Sequence, residues 1–402
     1  MNLFADYRMN MGDSIDLTIE SLRRHGAKHR HWSVAWSGGK DSTTLLTLLV
    51  YLIESGKVPK PERLTVLYAD TRMELLPLAA AARAIMAELA DRGIECRTVT
   101  APMDKRFLVY ILGRGVPPPN NTTLRWCTRQ IKLDPMRAEL ERIQAVEGGQ
   151  LLVLTGVRQG ESAVRDGRIA MSCGVNGAEC GQGWYQESLR SDRAATLAPI
   201  LHWRVCHVWE WLRHWAPASE YGDWSTAMIA DAYGGDEAQE VNARTGCVGC
   251  PLASKDTALD AVIALPQWSY LAPLKLLRAL YRDLRLPKRR LRKPGGETRA
   301  DGTLVANQHR MGPITLEARG AALVLVLTIQ EEINAQADIL RRPRVDMLNE
   351  DEVERIRELI AARTWPNRWT GNEPRADEPF DDGSDPELFD AADELVAEAV
   401  RA

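Results

Sequence analysis

The sequence predicts an α/β fold: a doubly wound parallel sheet followed by a mainly helical C-terminal region. Three observations carry this. Short apolar runs alternate with longer helix-periodic segments through the first half; a Gly/Ser turn joins the first run to the first helix; and the alternation stops near residue 215. With 402 residues, the chain can hold one large or two medium domains around a sizeable core.

Residues 31–36 (HWSVAW) read as the first strand and 42–55 as the first helix. RLTVLYAD (63–70) is the second strand, 74–92 its Ala/Leu-rich crossover helix, and CRTVTAP (96–102) the third strand. A Pro/Asn-rich loop at 114–123 leads to a helix over 128–144. QLLVLTGV (150–157) is the fourth strand, apolar throughout as a strand covered on both faces should be. Ligands of such sheets bind at the carboxyl ends of the strands. SGGKDS follows the first strand, DTRME (70–74) the second and GVRQGES (156–162) the fourth. Beyond 215, helices are expected at 253–265, 268–285, 316–336 and 350–363, the last capped by Asn349. Residues 286–313 read as a long Pro/Gly/basic loop. The expected division is a sheet domain at 1–215, a helical region at 216–371 and an acidic, disordered tail at 372–402 with a short amphipathic helix near its end.

The composition, 45% hydrophobic and 26% charged, is that of a soluble globular protein. No apolar run approaches the roughly 18 residues of a membrane span, and residues 1–30 hold no signal-peptide core. A cytoplasmic enzyme without a membrane partner is the expectation. The net charge of -4 is unevenly spread. KLLRALYRDLRLPKRRLRK (275–293) has Asp283 as its only acid, while the chain from Glu373 onward is acidic. The basic segment suits an anionic partner, or else a solvated helix face. Tryptophans in WRVCHVWEWLRHW fall at helical spacing and are expected in the core.

In SGGKDS, Gly38 and Gly39 allow a sharp turn that points successive N–H groups into one concavity. The helix starting near Ser42 adds its positive end. Ser37 and Ser42 can donate to phosphate oxygens, and Lys40 adds a charge. Asp41 beside phosphates is repulsive unless a divalent cation bridges them, so it predicts Mg²⁺. The spacing is not that of a Walker A loop. The bland alternative is a glycine turn without a ligand.

This arrangement resembles the PP-loop ATP pyrophosphatases, whose fold is of the adenine nucleotide alpha hydrolase-like type. The resemblance implies that the loop holds the β,γ-pyrophosphate while an acceptor attacks the α-phosphorus, giving AMP and pyrophosphate. It places adenosine at Asp70, Thr71 and Glu74, although Asp70 could instead cap the helix that follows. LRWCTRQIKLDPM (124–136), TGVRQGESAVR (155–165) and LAPILHWRVCHVWEWL (197–212) resemble, in order, three signatures of the PAPS/APS reductase branch, covering roughly 30–215. That branch implies anion contacts from Arg125, Arg129, Lys132, Arg158 and Arg165, whose planar forks, in the arginines, grip phosphate oxygens in pairs. Gly156 belongs to the same nucleotide-binding segment, and Glu161 orients one of these arginines or makes a surface ion pair. Lys40, Asp41 and Arg158 are the candidate catalytic residues. One departure matters: no cysteine follows Cys250, so the nucleophile of the sulfonucleotide reductases is missing and reduction of PAPS is not expected.

The seven cysteines suggest a different task, since grouped thiols in a cytosolic chain point to metal or redox chemistry. Cys247 and Cys250 form Cys-x-x-Cys; Cys173 and Cys180 are flanked by glycines; Cys127 stands where iron–sulfur members of the family hold a cluster. Four thiolates suit a [4Fe–4S] cluster or Zn²⁺, and the spread over three segments favours the cluster. The expected ligands are Cys127, Cys180, Cys247 and Cys250, with Cys173 as an alternative; Cys96 and Cys206 read as core residues. An ATP pyrophosphatase with such a cluster resembles the component of DNA phosphorothioation systems typified by DndC and SspD. That resemblance implies DNA as acceptor, with a cysteine desulfurase and other phosphorothioation proteins as partners, and segment 275–293 would suit a DNA backbone. The alternatives are a tRNA thiolase, a sulfonucleotide reductase-like assimilation enzyme and a non-enzymatic scaffold.

Overall fold

A computed structural model describes residues 9–121, 124–147, 151–160, 184–186, 194–235, 246–253, 255–299 and 301–378. The four expected strands are present as β1 (His31–Trp36), β2 (Arg63–Asp70), β3 (Glu95–Thr100) and β4 (Leu151–Thr155). Two short strands, β5 (Trp184–Gln186) and β6 (Ala195–Ala198), complete a six-stranded sheet of order β3-β2-β1-β4-β6-β5. The first five strands in that order run parallel, and β5 pairs antiparallel at the edge.

Helices cover both faces, as a parallel sheet requires. They are α1 (Met11–Ser21), α2 (Lys40–Glu54), α3 (Leu76–Asp91) and α4 (Asp134–Glu147). Alternation along β2 shows the two faces: Tyr68 joins Trp36, Leu45 and Ile85 on one side, while Leu67 joins Val99, Ile143 and Val153 on the other. Helix α2 is buried nearly all round: the Trp36 indole of β1 donates to Thr43 and the Trp211 indole to Thr47, each at 2.9 Å. Trp203, Trp209 and Trp211 are at most 1% exposed, as their spacing predicts. Cys96 is partly buried, but Cys206 is exposed, because the first turn of α5 (Val205–Glu210) turns that position outward.

The helical region contains α6 (Thr257–Ala264), a 3₁₀ segment Pro266–Leu274, α7 (Lys275–Asp283), α8 (Leu316–Leu340) and α9 (Glu350–Ala361). The single helix expected over 268–285 is therefore two pieces, since Pro273 has no N–H for an α-helical bond. These elements pack around Phe107, Leu271, Tyr281, Val326 and Ile356. Within the stretch expected as a loop, β7 (Arg290–Arg292) pairs with β8 (Met311–Ile314). Strands this short carry no readable period.

The end of the basic segment is engaged within the fold, while Lys275, Arg282 and Lys288 are exposed. Arg289 pairs with Asp283 at 2.8 Å, and Arg290 donates to the Gly312 carbonyl at 2.8 Å. Burial lowers Arg290 to about 10. Arg292 takes the Pro374 carbonyl through its backbone N–H at 2.8 Å, and Lys293 pairs with Glu373 at 2.8 Å under the Trp369 ring. Residues 373–378, expected as disordered tail, are thus part of the fold; the remainder, 379–402, lies outside the described residues. No described helix is long and apolar enough to cross a membrane.

Helix α9 fastens the helical region to the loop after β2. Asn349 caps it as expected, its Oδ1 accepting from the Glu352 N–H at 2.9 Å, and Glu352 accepts in return from the Asn349 N–H at 3.0 Å. The same carboxylate, 1% exposed, accepts from Arg72 and from Arg106, each at 3.0 Å. Arg72 reaches further to Asp346 at 2.7 Å. Removing one partner from such a buried group leaves the others uncompensated. Glu352→Gln is expected to lower the unfolding free energy by about 3 kcal/mol, read from the urea midpoint.

Candidate nucleotide site

The loop between β1 and α2 is built as a cradle. Gly38 adopts φ +71, a conformation L side chains avoid, and stands against Tyr68. Gly39 is extended and its carbonyl accepts the Thr43 N–H at 3.0 Å, so α2 begins at Lys40, two residues earlier than expected. The Ser42 hydroxyl accepts from the Ser37 N–H at 3.2 Å, donates to the Gly39 carbonyl at 3.1 Å and stands 3.2 Å from the Ser37 hydroxyl. These bonds close the turn on itself. Gly39 offers no side chain to cap the helix, so the first-turn N–H groups look elsewhere for acceptors, and that of Lys40 finds the Tyr233 hydroxyl at 3.3 Å.

Opposite lies the exit of β4. A Cβ on Gly156 would stand 2.7 Å from the Ser42 Cα and 2.8 Å from the Asp41 backbone, so only glycine permits this approach. Two residues on, Arg158 donates Nε to Asp41 Oδ1 at 2.5 Å and Nη1 to the Trp203 carbonyl at 3.1 Å. Trp203 is itself held by α1, its indole donating to Ser14 O at 3.2 Å and Thr18 Oγ1 at 3.0 Å. Lys40 Nζ bonds the second Asp41 oxygen at 3.0 Å. Two protein cations, Arg158 and Lys40, thus stand against Asp41, the carboxylate from which the sequence predicts Mg²⁺.

The loop after β2 is organised by Glu74. Its carboxylate accepts from the Thr71 N–H at 3.1 Å, the Thr71 hydroxyl at 2.6 Å and the Met73 N–H at 3.2 Å. Burial, and then the Asp70 charge, raise its pKa despite these bonds. Asp70 accepts from the Arg72 N–H at 2.8 Å, turning the backbone through φ +62 at Arg72. A cavity of about 310 Å³ opens here, bordered by Tyr68, Asp70, Glu74, Arg83 and Met347. Through Tyr68 it adjoins Gly38. Of the residues expected to hold adenosine, Asp70 and Glu74 line this cavity, and Thr71 supports Glu74 from behind the lining.

Three candidate cysteines share one neighbourhood. The Val248 N–H donates to the Met73 carbonyl at 2.8 Å, pinning the Cys-x-x-Cys turn beneath the Glu74 loop. Asn121, upstream of Cys127, donates to the Leu252 carbonyl at 2.7 Å. Burial pushes the Cys247 thiol up to about 12, with the Glu74 charge and then Cys250 and Cys127 acting in the same direction. Burial likewise raises Cys127. Soft donors that repel one another's charge are the chemistry of a thiolate-bound cation or cluster. Among the described residues, however, no group of three or more His, Cys, Asp or Glu is gathered as a metal-holding site. Cys173 and Cys180 lie outside those residues, as do Glu161 and Arg165. Arg125, Arg129 and Lys132 are exposed on the segment around Cys127.

Two contributors escaped sequence reasoning. Arg72 lies inside DTRME but shows its role only through its distant partners Asp346 and Glu352. Tyr233 comes from a segment without any motif, yet its hydroxyl accepts from the Lys40 N–H at 3.3 Å.

Residues 31–216 match the family described as phosphoadenosine phosphosulfate reductase domain. The match spans the sheet and stops before the helical region. A comparison with curated proteins returns no match. Among solved structures, the U34-tRNA thiolase NcsA from Methanococcus maripaludis, with its [4Fe-4S] cluster, is 15% identical at a TM-score of 0.33, over 69% of this chain and 81% of that one. The PAPS reductase from Candida auris, in a phosphate complex, is 12% identical at 0.31, over 51% and 86%. The Candida glabrata FMN adenylyltransferase, with FMN and the ATP analogue AMPCPP, is 15% identical at 0.29, over 50% and 55%.

Gly156→Ala is expected to weaken ATP binding by about ten-fold or more with unchanged circular dichroism, because its methyl group would displace the start of α2. Calorimetric titration checks this.

Proposed function

We propose that this PAPS reductase-like domain cleaves ATP between its α- and β-phosphates, activating a DNA backbone phosphate for sulfur insertion. One observation carries the first part: the N-terminus of α2, which Gly39 leaves without a cap of its own, faces the buried Arg158 across a glycine-permitted contact. The β,γ-pyrophosphate fits the donors of that turn, with the adenosine directed along Tyr68 toward the cavity beside Asp70. An acceptor oxygen attacks the α-phosphorus and the bond to the pyrophosphate oxygen breaks. Charge that develops on the departing pyrophosphate meets Lys40 and Arg158, already aligned by Asp41.

Support for DNA as acceptor is the sequence resemblance to phosphorothioation proteins, together with the exposed Arg125, Arg129 and Lys132 beside Cys127. A cysteine desulfurase would then supply the sulfur. Cys127, Cys247 and Cys250, completed by Cys180 or Cys173, are the residues that would hold a [4Fe–4S] cluster, whose chemistry is to carry or position sulfur; Zn²⁺ in the same place would be structural.

Purified protein with ATP and magnesium is expected to release AMP and pyrophosphate; ADP and orthophosphate would overturn the reading. Asp41→Ala should slow that release by about 10²-fold, since Lys40 and Arg158 lose their alignment. Anaerobic protein should contain about four irons per chain by colorimetric assay. Mass spectrometry of digested host DNA should show sulfur-containing dinucleotides only when the gene is present. A change in thiolated tRNA nucleosides instead would move the acceptor to tRNA.

A further inference from the structure

Tyr233 lies outside the 31–216 match, yet its side chain reaches the phosphate loop. It ends a 3₁₀ segment, Ala227–Tyr233, that packs against α3, and Gly234 and Gly235 follow at φ +103 and +69. The ring is 5% exposed and meets Trp209 edge-on at 5.1 Å, so its position is fixed. Its hydroxyl accepts from the Lys40 N–H at 3.3 Å, and a Cβ on Gly39 would stand 3.5 Å from that oxygen. The Lys40 ammonium lies 5.1 Å from the ring centroid.

Lys40 is the first residue of α2, and Gly39 offers no side chain to cap it. Its N–H therefore takes an acceptor from elsewhere. A phosphate oxygen and the Tyr233 phenol compete for that one donor. The ring has a separate effect, since a cation over an aromatic face is held by the ring's electron density.

We propose that Tyr233 is a positioning residue of the phosphate loop: its hydroxyl competes with pyrophosphate for the Lys40 N–H, while its ring holds the Lys40 ammonium beside the loop. This rests on the ATP reading above. Tyr233→Phe removes the competitor and keeps the ring; Tyr233→Leu removes both. Inorganic pyrophosphate with magnesium, titrated calorimetrically into the full-length proteins, separates the two effects. Y233F is expected to bind about five-fold tighter than wild type, the worth of one net hydrogen bond. Y233L is expected to bind about three-fold more weakly than Y233F. A residue serving only the core would leave Y233F unchanged, so equal or weaker binding by Y233F overturns the proposal, whatever Y233L does. Absence of pyrophosphate and ATP binding by wild type overturns the phosphate-loop reading itself, and this proposal with it.

Discussion

The contact between Arg158 and Asp41 is the interaction on which the site depends. It joins the ends of two neighbouring parallel strands, β1 through the start of α2 and β4 through its exit loop. Both side chains are nearly enclosed, so the pair forms where water screens it little and where geometry decides its worth. That geometry is inherited from small residues and distant anchors. Gly156 lets the two backbones approach, and the Trp203 carbonyl fixes the far side of the guanidinium. Trp203 in turn leans on α1, so a helix at the start of the chain helps to aim an arginine at the centre of the sheet.

The helical region participates in the same site. Glu352 receives Arg72 and Arg106, setting the backbone of the loop that borders the cavity. Val248 pins the Cys-x-x-Cys turn to that loop from the other side. The loop after β2 is thereby held between the nucleotide cradle and the cysteines. Glu74, at the middle of that loop, is buried among these elements, and this burial raises its pKa.

Much of this was legible beforehand, for identifiable reasons. The central strands are continuous apolar runs, and SGGKDS announces its turn through residues with one backbone use each. Asn349 marks the start of the last helix, where the structure completes a capping box with Glu352. What stayed hidden depends on long-range partners or on segments too short for a period. β5, β6 and the β7–β8 pair have three or four residues each. The engagement of the basic segment's end was hidden because composition records charge without burial: Arg290 and Arg292 both donate to backbone carbonyls. The pairing of Asp41 was hidden for the same reason, since one of its partners is an arginine more than a hundred residues away.

The pairing of residues 374–376 with β7 bears on how the chain can be shortened. An acidic composition invites a deletion beginning at 372, where the tail looks expendable. Such a cut would strip Glu373 from Lys293, remove the carbonyl acceptors of Arg292 and leave the Leu291–Arg375 bridge unmade. The trimmed protein would gain a row of released cations on a frayed strand. Any affinity for nucleic acid that it showed above that of the longer chain would belong to the truncation.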